Sequence, residues 1–266
     1  MVKLTLIQGD ALKVLPKLPL ESVDLVVTSP PYNIGIDYGI WKDNLEWDEY
    51  YDWCRKWLKG IYRVLKEDGR FCLNHYLSCG QANNRHSPLM DLNWIAVKEI
   101  GFKHHGIAIW TDRTLAKRTA WGSWLSASSP YINCPYEGIL ILYKHTWKKK
   151  DIGRSTIKKE EFMKLCSGIW DMQPCTKQLT PSNFPLDLPR HCINLLSFEN
   201  DTVLDPFLGS GTTMQACLEL KRNCIGIEIE PRYIRIIKER LNWGSSLGNV
   251  QFKFYTEEEV VKHGLE

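Results

Sequence analysis

The sequence predicts an α/β fold built on a doubly wound, mostly parallel sheet. Three observations carry this. Seven short runs rich in Val, Ile and Leu recur along the chain, amphipathic stretches of helical period lie between several of them, and two runs stop at abrupt turns, one Pro-Pro and one Gly-Ser-Gly. Continuous apolar runs suit strands covered on both faces. Alternation with helices suits parallel crossovers.

The runs, in order, are LTLIQGD (4–10), VDLVVTS (23–29), GRFCLNH (69–75), GIAIW (106–110), GILILYK (138–144), TVLDPF (202–207) and CIGIEI (224–229). NVQFKFYT near the C-terminus reads as a further edge strand. Between residues 46 and 66, Trp47, Tyr50, Tyr51, Cys54, Trp57, Leu58, Ile61, Tyr62 and Leu65 recur at three- and four-residue steps. That is one apolar helical face, with Asp68-Gly69 closing it. Helices are also expected over 89–100, 212–220 and 233–241. Two polar stretches interrupt the pattern, 111–135 with Arg113, Lys117 and Arg118, and 146–164 with the Lys148, Lys149, Lys150 run.

With 266 residues, 44% of them hydrophobic, the chain suits one large domain. A net charge of +3 neither demands nor excludes nucleic acid, so the placement of charge matters more. Nine cysteines without a C-x-x-C pair argue against a disulfide framework and a zinc site; no metal is expected. No run approaches the ~18 apolar residues of a membrane span, and the N-terminal apolar stretch is too short for a signal peptide. The expectation is a soluble, cytoplasmic protein.

VLDPFLGSGTT (203–213) is a buried strand ending at Asp205, a glycine turn and the start of a helix. This is the layout of a nucleotide-like cofactor site at the carboxyl edge of a sheet. Gly209 and Gly211 admit close backbone approach, and the helix N–H groups favour an anionic group. Glu228, ending the next strand, is placed to accept from ribose hydroxyls. The turn lacks the lysine of a P-loop, and Met214 stands where a dinucleotide fingerprint needs its third glycine. A carboxylate-bearing nucleoside such as S-adenosylmethionine remains the natural candidate.

TSPPY (28–32) followed by DPFLGSGTT resembles the β-group of S-adenosylmethionine-dependent DNA amino-methyltransferases, which act on cytosine N4 or adenine N6. IQGDAL and NFPLDLPRHCINLL fall in the matching family order, so the resemblance covers nearly the whole chain. It implies a circularly permuted, seven-stranded Rossmann-like sheet over 1–266, with a basic loop and target-recognition insertion at 111–180. The first strand would then border CIGIEI. It also implies a cofactor site of Asp10, Asp205, Phe207, Gly209, Ser210, Gly211, Thr212, Thr213 and Glu228, with Asp10 near the adenine. The implied partners are double-stranded DNA and a cognate restriction endonuclease. Family members are often homodimers.

The chemistry explains SPPY. An exocyclic amino nitrogen delocalises its lone pair into the ring and is a poor nucleophile. Two acceptors that hold its N–H groups out of plane restore nucleophilicity. The Pro30 carbonyl, in an amide made rigid by Pro31, is one, and Ser29 Oγ is the other. Tyr32 stacks on a base flipped out of the duplex, which returns about 1–3 kcal/mol of the flipping cost. Asn33 either braces the turn or meets substrate. Serine at position 29 usually accompanies cytosine N4 in this family, with adenine N6 and RNA amino groups as alternatives, and a non-catalytic nucleic-acid-binding module as a further one. Arg113, Lys117, Arg118 and Lys148–Lys150 are candidate phosphate contacts. For the lysine run, a solvated hairpin tip competes with that reading. Trp121 and Trp124 serve either the core or DNA.

Overall fold

The computed structural model describes residues 1–81, 84–111, 122–132, 134, 136–175, 179–245 and 249–265. Its elements are β1 (Val2–Gln8), α1 (Ala11–Val14), β2 (Val23–Thr28), α2 (Trp47–Val64), β3 (Leu65–Tyr76), β4 (Cys79–Gln81), β5 (Asn84–His86), α3 (Pro88–Trp94), β6 (Lys103–Thr111), β7 (Tyr136–Tyr143), α4 (Lys159–Leu165), β8 (Ile169–Asp171), α5 (Asp187–Leu196), β9 (Thr202–Asp205), α6 (Thr212–Glu219), β10 (Asn223–Glu228), α7 (Pro231–Arg240), β11 (Val250–Thr256) and α8 (Glu257–His263).

Among the described residues, nine strands form one sheet in the order β11-β1-β10-β9-β2-β3-β7-β6-β8. The expected seven are all present. β11 extends one edge and the three-residue β8 the other, too short to stand out as an apolar run. Pairing is parallel except where β7 lies antiparallel between β3 and β6. As expected, β1 borders β10, with Gln8 opposite Glu228. Chain progression reverses between β9 and β2, which makes that gap the topological switch point where such sheets bind ligands.

Side-chain alternation divides the core between the two faces. Val26, Phe71, Leu73, Leu140 and Leu142 face α2. Leu25, Val27, Cys72, Ile139 and Ile141 face the side of α5, α6 and α7. On α2, Tyr50, Trp53, Cys54, Trp57, Leu58, Ile61 and Val64 are buried at helical spacing, each aliphatic side chain contributing about 1.5–3 kcal/mol of burial.

Two boundaries differ from expectation. α2 ends at Val64, and Leu65 already has extended backbone and enters β3, so Gly69 does not cap it. The register of β2 on β3 jumps from Val23–Leu65 to Leu25–Arg70, so the Lys66–Gly69 segment is accommodated as an irregularity inside the strand. The helix expected over 89–100 runs as α3 and continues as a π-type turn, Ile95–Ile100, ending at left-handed Gly101.

Candidate active site

The carboxyl ends of the parallel strands open into a cleft of about 1140 Å³, including its mouth. Asp10, Ser29, Pro30, Pro31, Tyr32, Phe207, Gly209, Ser210, Thr212 and Glu228 line it. The two turns noted in the sequence, one after β2 and one after β9, thus face a common space.

A single buried carboxylate holds the two turns together. Asp205, fully buried, accepts from Thr28 Oγ1 at 2.7 Å, Thr213 Oγ1 at 2.6 Å and Phe207 N at 3.1 Å. Thr28 directly precedes Ser29, and Thr213 lies in the first turn of α6. Burial pushes the Asp205 carboxyl up to about 6, against the pull of these donors. The sequence reading puts Asp205 against the cofactor, but it, Gly211 and Thr213 stand behind the cleft wall, not in it. The acceptor capacity of Asp205 is directed inward.

The glycine turn follows from its backbone. Gly209 and Gly211 have φ of 56° and 84°, in the left-handed region, which a side chain would strain. Arg240 on α7 braces the turn, its Nη1 donating to Ser210 O, Ser210 Oγ and Thr212 Oγ1. Glu228 accepts from Gly209 N at 2.7 Å and from Glu230 N at 2.8 Å. Burial lifts its carboxyl to about 7. Asp10 caps α1 by accepting from Leu12 N, and its own N–H donates to Glu257.

The Pro-Pro turn is held from both sides. Tyr50 Oη donates to the Pro31 carbonyl at 2.7 Å and lies 3.0 Å from His75 Nε2. With the tyrosine hydrogen spent on Pro31, His75 must donate from Nε2. It is neutral, because complete burial lowers it to about 3. Asn33 braces the turn through reciprocal bonds with Leu45. Asp43 gathers the N–H groups of Asn33, Ile34 and Ile36.

Tyr32 is buried at 6% exposure, with its ring 4.1 Å from the His75 ring and edge-on to Tyr76 at 4.9 Å. Its hydroxyl lies 2.6 Å from Ser29 Oγ, donates to Glu137 at 2.8 Å and accepts from Asn74 Nδ2 at 2.8 Å. Asn74, Tyr76, Trp110 and Glu137 also line the cleft and escaped the sequence reading. Register explains them, because Glu137 on β7 sits opposite Tyr76 of β3 on one side and Trp110 of β6 on the other.

The lysine run does not join the cleft. Lys149 is buried and paired with Asp24 at 3.2 Å and Asp201 at 3.7 Å, beside the starts of β2 and β9. Lys150 pairs with Glu67, and its N–H bonds Asp68. These partners mark the amino-terminal edge of the sheet, opposite the cleft. Lys149 is therefore a structural cation, whereas Lys150 makes an exposed surface pair and exposed Lys148 stands at the same edge. Arg113, Lys117, Arg118 and Trp121 lie outside the described residues. Trp124 is 72% exposed and is not part of the cleft wall.

The profile of a DNA methylase family, N6_N4_Mtase, matches residues 23–239. The chain belongs to this family of DNA amino-methyltransferases. It is 46% identical over 167 residues to the type II methyltransferase M.MjaVI of Methanocaldococcus jannaschii, covering 63% of this chain and 84% of that one. TTHA0409 of Thermus thermophilus, solved in complex with S-adenosyl-L-methionine, superposes with a TM-score of 0.72 at 27% identity, over 95% of this chain and 99% of that one. The cytosine-N4-specific PvuII DNA methyltransferase shares the fold, with a TM-score of 0.69 at 21% identity over 98% and 92% of the two chains.

Proposed function

We propose that this protein transfers a methyl group from S-adenosylmethionine to the N4 amino group of a cytosine flipped out of duplex DNA, within a type II modification system. The observation that carries the cytosine reading is Ser29 itself. A neutral hydroxyl stands in the cleft beside the rigid Pro30-Pro31 amide, at the position where a carboxylate or amide would accompany adenine. The family spans N6 and N4 chemistry, and adenine N6 is the runner-up.

The cleft fits the cofactor's chemistry. Asp10 and Glu228 offer carboxylate acceptors for amino and hydroxyl groups, and the start of α6 offers N–H donors for a carboxylate. Asn183, in the same wall, gives its amide nitrogen to Cys175 Sγ and keeps a buried carbonyl oxygen with no partner among the described residues, suited to an ammonium. Bound there, S-adenosylmethionine supplies an electrophilic methyl. The chain's own residues do the remaining work. Ser29 Oγ and the Pro30 carbonyl accept the two amino hydrogens and draw the nitrogen lone pair out of conjugation. The buried Tyr50 and Asn33 contacts keep that pair of acceptors from rotating away, which is preorganisation. Aromatic walls from Tyr32, Tyr76 and Trp110 suit a planar base.

Incubating duplex DNA with protein and cofactor, then digesting to nucleosides for mass spectrometry, tests the reading. N4-methylcytosine is expected, whereas N6-methyladenine refutes the cytosine assignment. Ser29→Ala should lower turnover by about 10²–10³-fold and leave cofactor affinity within about twofold.

A further inference from the structure

Hydrogen counting in the cleft shows a direction. Tyr32 has one hydroxyl hydrogen, given to Glu137 Oε2 at 2.8 Å. Asn74 Nδ2 donates both to that same oxygen, at 2.6 Å, and to Tyr32 Oη. Tyr32 therefore has no hydrogen left for Ser29, and the 2.6 Å contact between them is made with the Ser29 hydrogen. Among the described residues no other group takes the lone pairs of Ser29 Oγ, and Ser29 lines the cleft. If the order of donation ran the other way, the Ser29 hydrogen would point at the incoming N–H groups and repel them.

We propose that Glu137 is the positioning residue that sets this direction, and that the Ser29–Tyr32–Glu137 chain carries away the proton the methylated amino group must lose. The proposal rests on Ser29 facing the target nitrogen. In the transfer, the nitrogen lone pair forms the new N–C bond, and the sulfur–methyl bond breaks with its electrons left on sulfur. The nitrogen is then cationic, with one hydrogen too many. That hydrogen passes as a proton to Ser29 Oγ, the Ser29 hydrogen passes to Tyr32 Oη, and the Tyr32 hydrogen passes to Glu137 Oε2. The products are a neutral methylated amine, a sulfide and a protonated Glu137, which later gives its proton to water. Tyr32 moves protons without becoming a free phenolate, because burial and the Glu137 charge hold its hydroxyl well above the ordinary range.

Among the described residues, the groups about Glu137 include Tyr32 from the turn after β2, Asn74 and Tyr76 from β3, and Trp110 from β6, with His75 behind the Tyr32 ring. His75 is already neutral in the working range. Asp205 and Glu228, held up to about 6 and about 7 by burial, also titrate in this range and stay in every variant, so only the change between wild type and variant reports on position 137.

The test compares Glu137→Gln, Tyr32→Phe and the double variant in single-turnover methylation across pH 5–9, with cofactor binding measured by calorimetry. Gln keeps an oxygen for Tyr32 and Asn74 but cannot hold the proton, and Phe keeps the ring on His75 but cuts the chain. Each variant should lose about 10²-fold in rate, show a changed acid limb relative to the wild type, and keep DNA KM and cofactor affinity within about twofold. The double variant should be no slower than either single one. A Glu137→Gln enzyme with wild-type rate and pH profile overturns the proposal, and so do losses that multiply in the double variant. Nucleoside analysis of the same reactions separates this from the base assignment. N6-methyladenine made by the wild type, with the variants behaving as stated, refutes cytosine and supports the chain.

Discussion

Glu228→Gln should stabilise the cofactor-free protein at alkaline pH and weaken its function. The folded state holds the Glu228 carboxyl at about 7, against an ordinary 4.5, because burial penalises the charge more than the Gly209 and Glu230 N–H groups favour it. Between those values the folded chain binds a proton that the unfolded chain has lost. Stability therefore falls as pH rises through that window. Completed, the loss is roughly 3 kcal/mol at about 1.36 kcal/mol per unit of pKa. Glutamine removes the charge and keeps one acceptor oxygen, leaving one backbone N–H facing an amide, at about 1 kcal/mol. The net gain at pH 8 is about 2 kcal/mol, or roughly 4–8 °C in Tm. At pH 5, where Glu228 is already mostly protonated, the gain vanishes. Thermal unfolding of both proteins from pH 5 to 8 measures this. The variant should keep the fall that Asp205 imposes between 3.8 and about 6, and lose the one above it. A variant that melts lower at pH 8, with the wild-type slope intact, would refute the reasoning. Calorimetry should show weaker cofactor binding, the usual conflict between a site's function and its stability.

Two further outcomes follow from the corrected residues. Asp205→Ala strands two buried hydroxyls and an N–H, and should cost about 3 kcal/mol or more, read as a lower denaturant midpoint; unchanged stability with lost cofactor binding would restore Asp205 as a ligand contact. Lys149→Ala removes one of the two lysines on Asp24, Lys66 staying at 2.8 Å, and should cost about 1.5–3 kcal/mol, while the salt dependence of DNA binding keeps its slope.

The fold was legible because strands buried on both faces must be apolar throughout, and seven such runs stand out. β8 did not, since three edge residues carry no periodicity. α5 was recognised only as part of the family pattern, because DLPRHCINLL mixes proline and polar residues into its first turn. The two turns of the site were legible because proline and glycine are local signals. Glu137, Asn74, Tyr76 and Trp110 were not, because what assembles them is the register of β3, β7 and β6, and no local pattern records which residue lies opposite which. The Lys148–Lys150 run misled for a related reason. Lysine spacing shows charge, but only the tertiary structure shows that Asp24 and Asp201 meet it.

The order of strands in the sheet also governs when the protein can exist. β1 and β2 are made first, yet neither touches the other, as β10 and β9 lie between them. Until the last third of the chain is available, the opening strand has no partner on either side, because its neighbours are β10 and β11. Closing such long-range pairings is slow. A chain still being synthesised therefore carries SPPY long before it has the Asp205 clip that secures it. Methylating competence arrives late and all at once, and a partly made copy cannot mark DNA.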